Sequence, residues 1–273
     1  RTIGGEVPHR AWHLASPAPT SGTLVVPNTV HYVWFGEAEP MKFHQFLSIK
    51  SAFLNIRPKQ ILFHCDFEPV GLWWKETKRT VTSLEIVHRN PPVEIFGNEI
   101  IRPTHKSDVA RLEILFKSGG IFLGTDVIVL KSFDSLRHFN FTMGVEYHGS
   151  PGRLNNDIII ANKDAKFLKM WYESYRNFTK REWDFHACQI PYNLLFENPK
   201  LIHVEERTLN YPSGKDKHLI YNGLYNWRTN FALHLWQELN DKGYGPNNIR
   251  NMNTTFGEVA RLIYYGNFTQ IKS

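Results

Sequence analysis

The chain has 273 residues, 42% of them hydrophobic and 14% aromatic, which is enough apolar surface for a packed core and excludes a disordered chain. Its net charge of +6 and pI near 9.2 favour anionic ligands. No block of Lys and Arg is longer than two residues and no nucleic-acid motif is present, so the charge reads as a solvated basic surface and nucleic acid is set aside as a partner.

Residues 1–27 hold Pro8, Pro17, Pro19 and Pro27, with Ser, Thr and Gly between them in "LASPAPTSGT". That composition predicts a stalk or flexible arm. His9 and His13 stand four apart within it, a coincidence of a loose arm rather than a metal site. A single domain is expected over 28–273. It opens with "TVHYVWFG", a strand ending at Gly36, and "PMKFHQFLSIKSAFLNI", a helix entered through a proline. "QILFHCD" and "SLEIVHR" read as strands, and "THKSDVARLEILFKSGG" as a helix capped by Thr104 or Ser107 and stopped by Gly119-Gly120. "IFLGTDVIVL" reads as strand, turn, strand. "FTMGVEY" and "DIIIAN" are two more strands, "DAKFLKMWYESYRNF" is an amphipathic helix, and "ALHLW" reads as an apolar helix. No internal repeat is visible.

Strands alternating with helices predict an α/β fold with a mainly parallel sheet covered by helices on both faces. Ligands of such sheets sit at the carboxyl ends of the strands. There is no G-x-G-x-x-G or P-loop sequence, so a nucleotide's phosphates need another holder. Cys65 and Cys188 lack metal-ligand spacing, and spacing does not decide between a disulfide and two thiols. Sequons at Asn140, Asn177, Asn253 and Asn267 lean toward a secretory compartment. No apolar run approaches about 20 residues. Membrane contact is expected only through an N-terminal anchor absent from this chain.

Asp126 sits in the middle of an apolar segment, where an unpaired charge is costly. Asp108 and Arg111 are three apart on the preceding helix, and an ordinary intrahelical pair explains that spacing equally well. If helix and strand run antiparallel, the pair lies near Asp126. Trp34 and His234 each have a plain reading as core residues, and Asp157 as a turn cap. Trp73-Trp74 reads as a core pair or as a flat platform for sugars.

Taken together, "SDVARLEILFKSGGIFLGTDVIVL" resembles the DXD sugar-binding region of glycosyltransferase family 32. That family's relatives include animal α1,4-glycosyltransferases, yeast-type mannosyltransferases and clostridial glucosylating toxins. The shared pattern is S-D-x-x-R, an apolar helix, G-G-I-[FY], then D-x-D. "VPNTVHYVWFG" is similar to the family's first strand and "HLWQ" to its His-x-Trp segment, so the likeness spans about residues 27 to 236. It implies a GT-A-like, Rossmann-type fold and retaining transfer from a nucleotide-sugar donor, UDP-linked by expectation, to a glycan or glycolipid acceptor. It also implies a divalent cation, usually Mn²⁺, and a Golgi or secretory-lumen address for a type II membrane protein. By position, Trp34 would stack on the base, Asp108 and Arg111 would bind sugar or ribose hydroxyls, and Gly124 and Thr125 would line the donor. Asp126 and His234 would hold the metal. Asn156 and Asp157 would lie on the catalytic side, with Asp157 the candidate nucleophile. The rival from a different class is a non-catalytic module that holds a nucleotide or glycan in the same groove without transfer, and a more distant rival is a toxin-like glucosyltransferase acting on cytosolic protein.

One departure stands out. D-x-D places aspartate at 124, where this chain has Gly124. Three readings follow: a weakened enzyme, a silent relative that only binds nucleotide sugar or glycan, and a knock-out of an active parent.

Overall fold

The computed structural model describes residues 17–19, 22–147, 149, 151–180, 184–236, 243–267 and 269. The chain runs β1 (Thr29–Trp34), α1 (Phe43–Ile56), β2 (Gln60–Cys65), α2 (Leu72–Thr80) and β3 (Leu84–His88). A short hairpin, β4 (Glu94–Ile95) and β5 (Asn98–Glu99), leads to α3 (Pro103–Ser118), β6 (Gly120–Leu123) and β7 (Val127–Val129). Then come β8 (Phe141–Tyr147), β9 (Arg153–Ala161), α4 (Lys166–Ser174), α5 (Ile190–Glu197) and β10 (His203–Glu205). The remainder is α6 (His218–Tyr221), β11 (Ala232–His234), α7 (Pro246–Ile249) and α8 (Thr255–Tyr265).

Seven strands form one sheet in the order β10-β8-β9-β6-β1-β2-β3. All neighbours are parallel except β9, which runs antiparallel to both β6 and β8. The expected mainly parallel α/β sheet is therefore present. Alternation along each strand feeds two cores. Val30, Tyr32, Ile121, Leu123, Ile158 and Ile160 face one side, where α1 and α8 pack. Phe122, Ile159 and Ala161 face the other, under α3 and α4. A sheet buried on both faces demands the near-continuous apolar runs that the strands carry.

Helix α3 passes into β6 with no loop, and Gly119-Gly120 makes that possible. Both have positive φ, 64° and 114°. A Cβ at Gly119 would stand 2.9 Å from Ala161 O, and one at Gly120 2.7 Å from Thr29 O. Only glycine combines that conformation with that approach. The short passage brings the N-terminal half of α3 back alongside the carboxyl end of β6.

Several elements differ from expectation: β4, β5, α5, β10, α6, α7 and α8 are not among the predicted elements, and α3 begins at Pro103 after Arg102 with no side-chain cap from Thr104 or Ser107. His234 lies on a strand, not a helix: "ALH" forms β11, paired antiparallel with β7. Five apolar-rich residues carry no period, so strand and helix are indistinguishable there. Helix α2 has no counterpart among the sequence expectations, because only Trp74 and Thr77 of its nine residues are buried and no apolar stripe shows. Of the 1–27 arm, residues 1–16, 20 and 21, with His9 and His13, lie outside the described residues. Val26 is already buried, and the amides of Val25 and Val26 donate to Arg137 O. Cys65 and Cys188 are separate buried thiols. Among the described residues no helix is long and apolar enough to cross a membrane.

Candidate metal and donor site

The turn "GTD" between β6 and β7 is fixed from below by α1. Ser48 Oγ donates to Gly124 O at 3.2 Å, Ser51 Oγ accepts from the Val129 amide at 2.9 Å, and Asn55 Nδ2 donates to Val129 O at 2.8 Å. These three polar residues follow the i, i+3, i+7 spacing of one helix face. The sequence reading of this segment as a helix entered through a proline does not single them out, although their spacing is visible in the sequence. Val127 N closes the turn on Gly124 O at 3.2 Å, leaving Asp126 at its tip.

β11 then delivers His234. Its register on β7 sets His234 opposite Val127, and Leu235 N donates to Asp126 O at 2.9 Å. His234 Nε2 thereby reaches 3.2 Å from Asp126 Oδ1 and 3.5 Å from Asp157 Oδ2. Trp236 covers the imidazole with ring centroids 3.8 Å apart and is itself tied through Nε1 to Pro212 O. On the other side the Asn155 amide nitrogen lies 3.1 Å from His234 Nδ1, and Asn155 Oδ1 accepts the Asp157 amide at 2.9 Å. Asn155 thus sets its amide against the imidazole and holds the backbone of Asp157, a contribution the sequence reading does not assign.

β9 supplies Asn155, Asn156 and Asp157 at an irregularity. Met143 of β8 pairs with Ile159 while Gly144 pairs with Asn155, so Asn156 to Ile158 have no partner on that side. Bulged ladders of this kind re-aim side chains. Asp157 Oδ1 accepts from Arg111 Nη1 at 3.1 Å, and Arg111 Nη1 also donates to Asn156 O at 2.8 Å. Asn156 Nδ2 donates to Asp108 Oδ1 at 2.8 Å, and Arg111 Nη2 lies 3.4 Å from the same oxygen. The guanidinium sits 4.5 Å over the Phe122 ring. Asp108 and Arg111 are both buried and engage residues 156 and 157, beyond a plain intrahelical pair.

One ligand atom each from Asp126, Asp157 and His234 falls within 4.8 Å of the other two. Two carboxylate oxygens and an imidazole nitrogen suit a divalent ion of the manganese kind. Burial alone would lower the His234 pKa, but the Asp126 carboxylate, with Asp157 and Glu146 behind it, raises it to about 9. Carboxylates that hold a proton on a buried imidazole would equally attract a divalent cation, whose binding displaces that proton. Burial also pushes the Glu146 carboxyl up, and it pushes Asp108 to about 6 against the pull of Arg111 and Asn156. Glu146, reached by Asn155 Nδ2 at 3.4 Å, is a second acidic group the sequence reading passes over.

The donor-side expectations lie along the same edge. Trp34 ends β1, half-buried, 6.2 Å from the Phe63 ring. The loop after it is held by Asp66, whose carboxylate accepts the Gly36 amide at 3.1 Å. Gly124 and Thr125 sit in the turn at the end of β6. Trp74 is buried with Nε1 on Glu68, and Trp73 packs on Phe43 and Phe46, so this pair belongs to the core rather than to an open platform.

Comparison with known proteins gives three results. The family described as "Glycosyltransferase sugar-binding region containing DXD motif" matches residues 27–142. "Glucan organizing enzyme 1" of Cryptococcus neoformans var. grubii is 30% identical over 267 residues, covering 89% of this chain and 72% of that protein. Among solved structures, the WbbM bifunctional glycosyltransferase has a TM-score of 0.50 at 9% identity, covering 92% of this chain and 51% of that one. The galactosyltransferase LgtC, in complex with donor and acceptor sugar analogues, has a TM-score of 0.44 at 14% identity, covering 89% and 98%. The sheet and its helical cover are of the GT-A type.

Proposed function

This chain belongs to the glycosyltransferases whose sugar-binding region contains a DXD motif, and we propose that it transfers a sugar from a UDP-sugar to a glycan or glycolipid, with a divalent cation and with retention at the anomeric carbon. The observation that carries the reading is the convergence of Asp126, Asp157 and His234, from three separate strands or turns, within 4.8 Å at the carboxyl edge of the sheet. A 30%-identical relative named for glucan organisation supports a glycan as acceptor.

Asp126, Asp157 and His234 would hold the cation, with Mn²⁺ the best match to their donor set. Such a cation supplies Lewis-acid neutralisation of the diphosphate leaving group. Trp34 would offer its indole face to the base. Asp108 and Arg111 would set the sugar side through Asn156 and Asp157, whose positions they hold. Arg111 engages one oxygen of Asp157 and His234 faces the other, so this carboxylate is occupied in holding rather than poised to attack. The acceptor hydroxyl would then enter on the face the leaving group departs from. Its O–C1 bond forms as the C1–O bond to diphosphate breaks, and its proton passes to the departing diphosphate oxygen.

The four sequon asparagines are all exposed, which supports passage through the secretory lumen. A Golgi address completes the proposal. Nucleoside diphosphate release from a panel of UDP- and GDP-sugars, with Mn²⁺ and with chelator, tests it. Turnover that is indifferent to the cation rejects it.

A further inference from the structure

Positions 124 and 157 cannot both carry a side chain in the present geometry. Gly124 follows β6, Asp157 lies beside it on β9, and the Gly124 amide donates to Asp157 O at 2.8 Å. A Cβ built on Gly124 would stand 2.9 Å from Asp157 Oδ1 and 3.0 Å from both its Cβ and its Cγ. Atoms that close force one group to move. The backbone at 124 has little freedom, since its carbonyl accepts from Ser48 Oγ and from Val127 N. Asp157 is equally fixed, through Arg111 Nη1 on its carboxylate and Asn155 Oδ1 on its amide. The Asp157 carboxylate therefore fills the space that a side chain at 124 requires. From there its second oxygen faces His234 at 3.5 Å.

We propose that one carboxylate of the D-x-D pair has moved across the ladder in this chain. Asp157 supplies from β9 the cation-facing oxygen that residue 124 would supply from β6, and glycine at 124 is the residue small enough to admit it. The inference rests on the reading of Asp126, Asp157 and His234 as a cation site. It deepens that reading by making Gly124 and Asp157 one compensated exchange. Asp126 and Asp157 then supply the two carboxylates that a D-T-D turn would supply by itself, and on this reading Gly124 marks neither a weakened nor a silenced enzyme. Aspartate at 124 beside an intact Asp157 adds a clash and a third like charge to the cluster, and that is not a repair.

The test is a cycle of four proteins titrated calorimetrically with MnCl₂: wild type, Gly124→Asp, Asp157→Gly, and Gly124→Asp with Asp157→Gly. Asp126→Asn serves as the site control, and each metal-free protein is also melted. Each single change is expected to weaken Mn²⁺ binding by about 10-fold or more, and the double to return it to within about 3-fold of wild type. Metal-free Gly124→Asp is expected to melt several degrees below wild type, with the double recovering most of that loss. A double no better than Asp157→Gly, while Asp126→Asn still abolishes binding, overturns the exchange and leaves the cation site standing. So does a Gly124→Asp protein that binds Mn²⁺ as tightly as wild type. Equal binding by wild type and Asp126→Asn overturns the cation site, and the exchange with it.

Discussion

His234 Nε2 stands 3.2 Å from Asp126 Oδ1 because the β7–β11 ladder sets His234 opposite Val127, the residue after Asp126. A site built on a ladder is rigid, and its partners matter nearly as much as its ligands. Asn155 is the partner that touches both His234 and the Asp157 amide. Replacing Asn155 with Leu is expected to weaken Mn²⁺ affinity by about 10- to 100-fold with little change in secondary structure. Calorimetry and circular dichroism on the same sample check both halves. Unchanged affinity would remove Asn155 from the site's support.

Arg111 links α3 to β9 through Asp108, Asn156 and Asp157 while lying buried over Phe122. Truncating it strands the Asp108 carboxylate, which burial already pushes up to about 6. Arg111→Met is expected to cost about 3–5 kcal/mol in denaturant unfolding. Adding Asp108→Asn is expected to recover a good part of that, because the stranded charge is gone. Additive losses would show that the two residues do not act as a pair.

Ser48 joins the core to the catalytic edge, with its hydroxyl between Tyr32 OH at 3.3 Å and Gly124 O at 3.2 Å. Ser48→Ala leaves both oxygens without that partner and is expected to destabilise by about 1–3 kcal/mol. Because the turn bearing Asp126 loosens too, Mn²⁺ affinity should fall in step. A stability loss with no change in affinity would show that the turn holds its shape without α1.

His31 and His64 contribute a pH dependence on the acid side. His31 Nε2 lies 3.0 Å from Gly119 O and must donate to it, so its Nδ1 accepts from His64 Nε2 at 3.1 Å. His64 Nδ1 is left buried without a partner. Burial lowers His31 to about 4 and His64 to about 3. Unfolded histidines take up protons near 6.5, so between that pH and 4 to 3 the unfolded state binds protons that the folded state refuses. The contribution of this pair is therefore full above about pH 6.5, falls as pH drops through this window, and levels off below it. Buried His186, lowered to about 4, adds to the same fall, and His234, raised to about 9, acts oppositely, its contribution being lost as pH rises from about 6.5 to 9. Melting curves from pH 8 to 4 should show the fall. His64→Gln, which can still donate to His31, should flatten it, and an unchanged slope would assign the effect elsewhere.

Much of this was open to reading in the sequence, and what was hidden has a physical reason. Elements with clear punctuation are legible: α1 through its proline entrance, β1, β2 and β6 through bounded apolar runs, and the end of α3 and its passage into β6 through Gly119-Gly120. Asp126 stood out as a charge inside an apolar segment. Hidden were the features that depend on which strands are neighbours. β11 has three residues and no period, so nothing in its sequence separates a strand from a helix, and only its pairing with β7 places His234. Nothing in the spacing of 124 and 157 says that β6 and β9 lie side by side, so the loss of a carboxylate at one position and its presence at the other read as separate facts. The same holds for Asn155 and Glu146, which act across strands.

The measurement that bears most directly on the account is nucleoside diphosphate release from a UDP-sugar by wild type and Asp126→Asn, each with Mn²⁺ and with chelator. The account predicts release from wild type that collapses on chelation and returns with Mn²⁺, and, in the presence of Mn²⁺, at least about 100-fold less release from Asp126→Asn than from wild type. Release that persists in chelator, or that survives the loss of the Asp126 carboxylate, would contradict it.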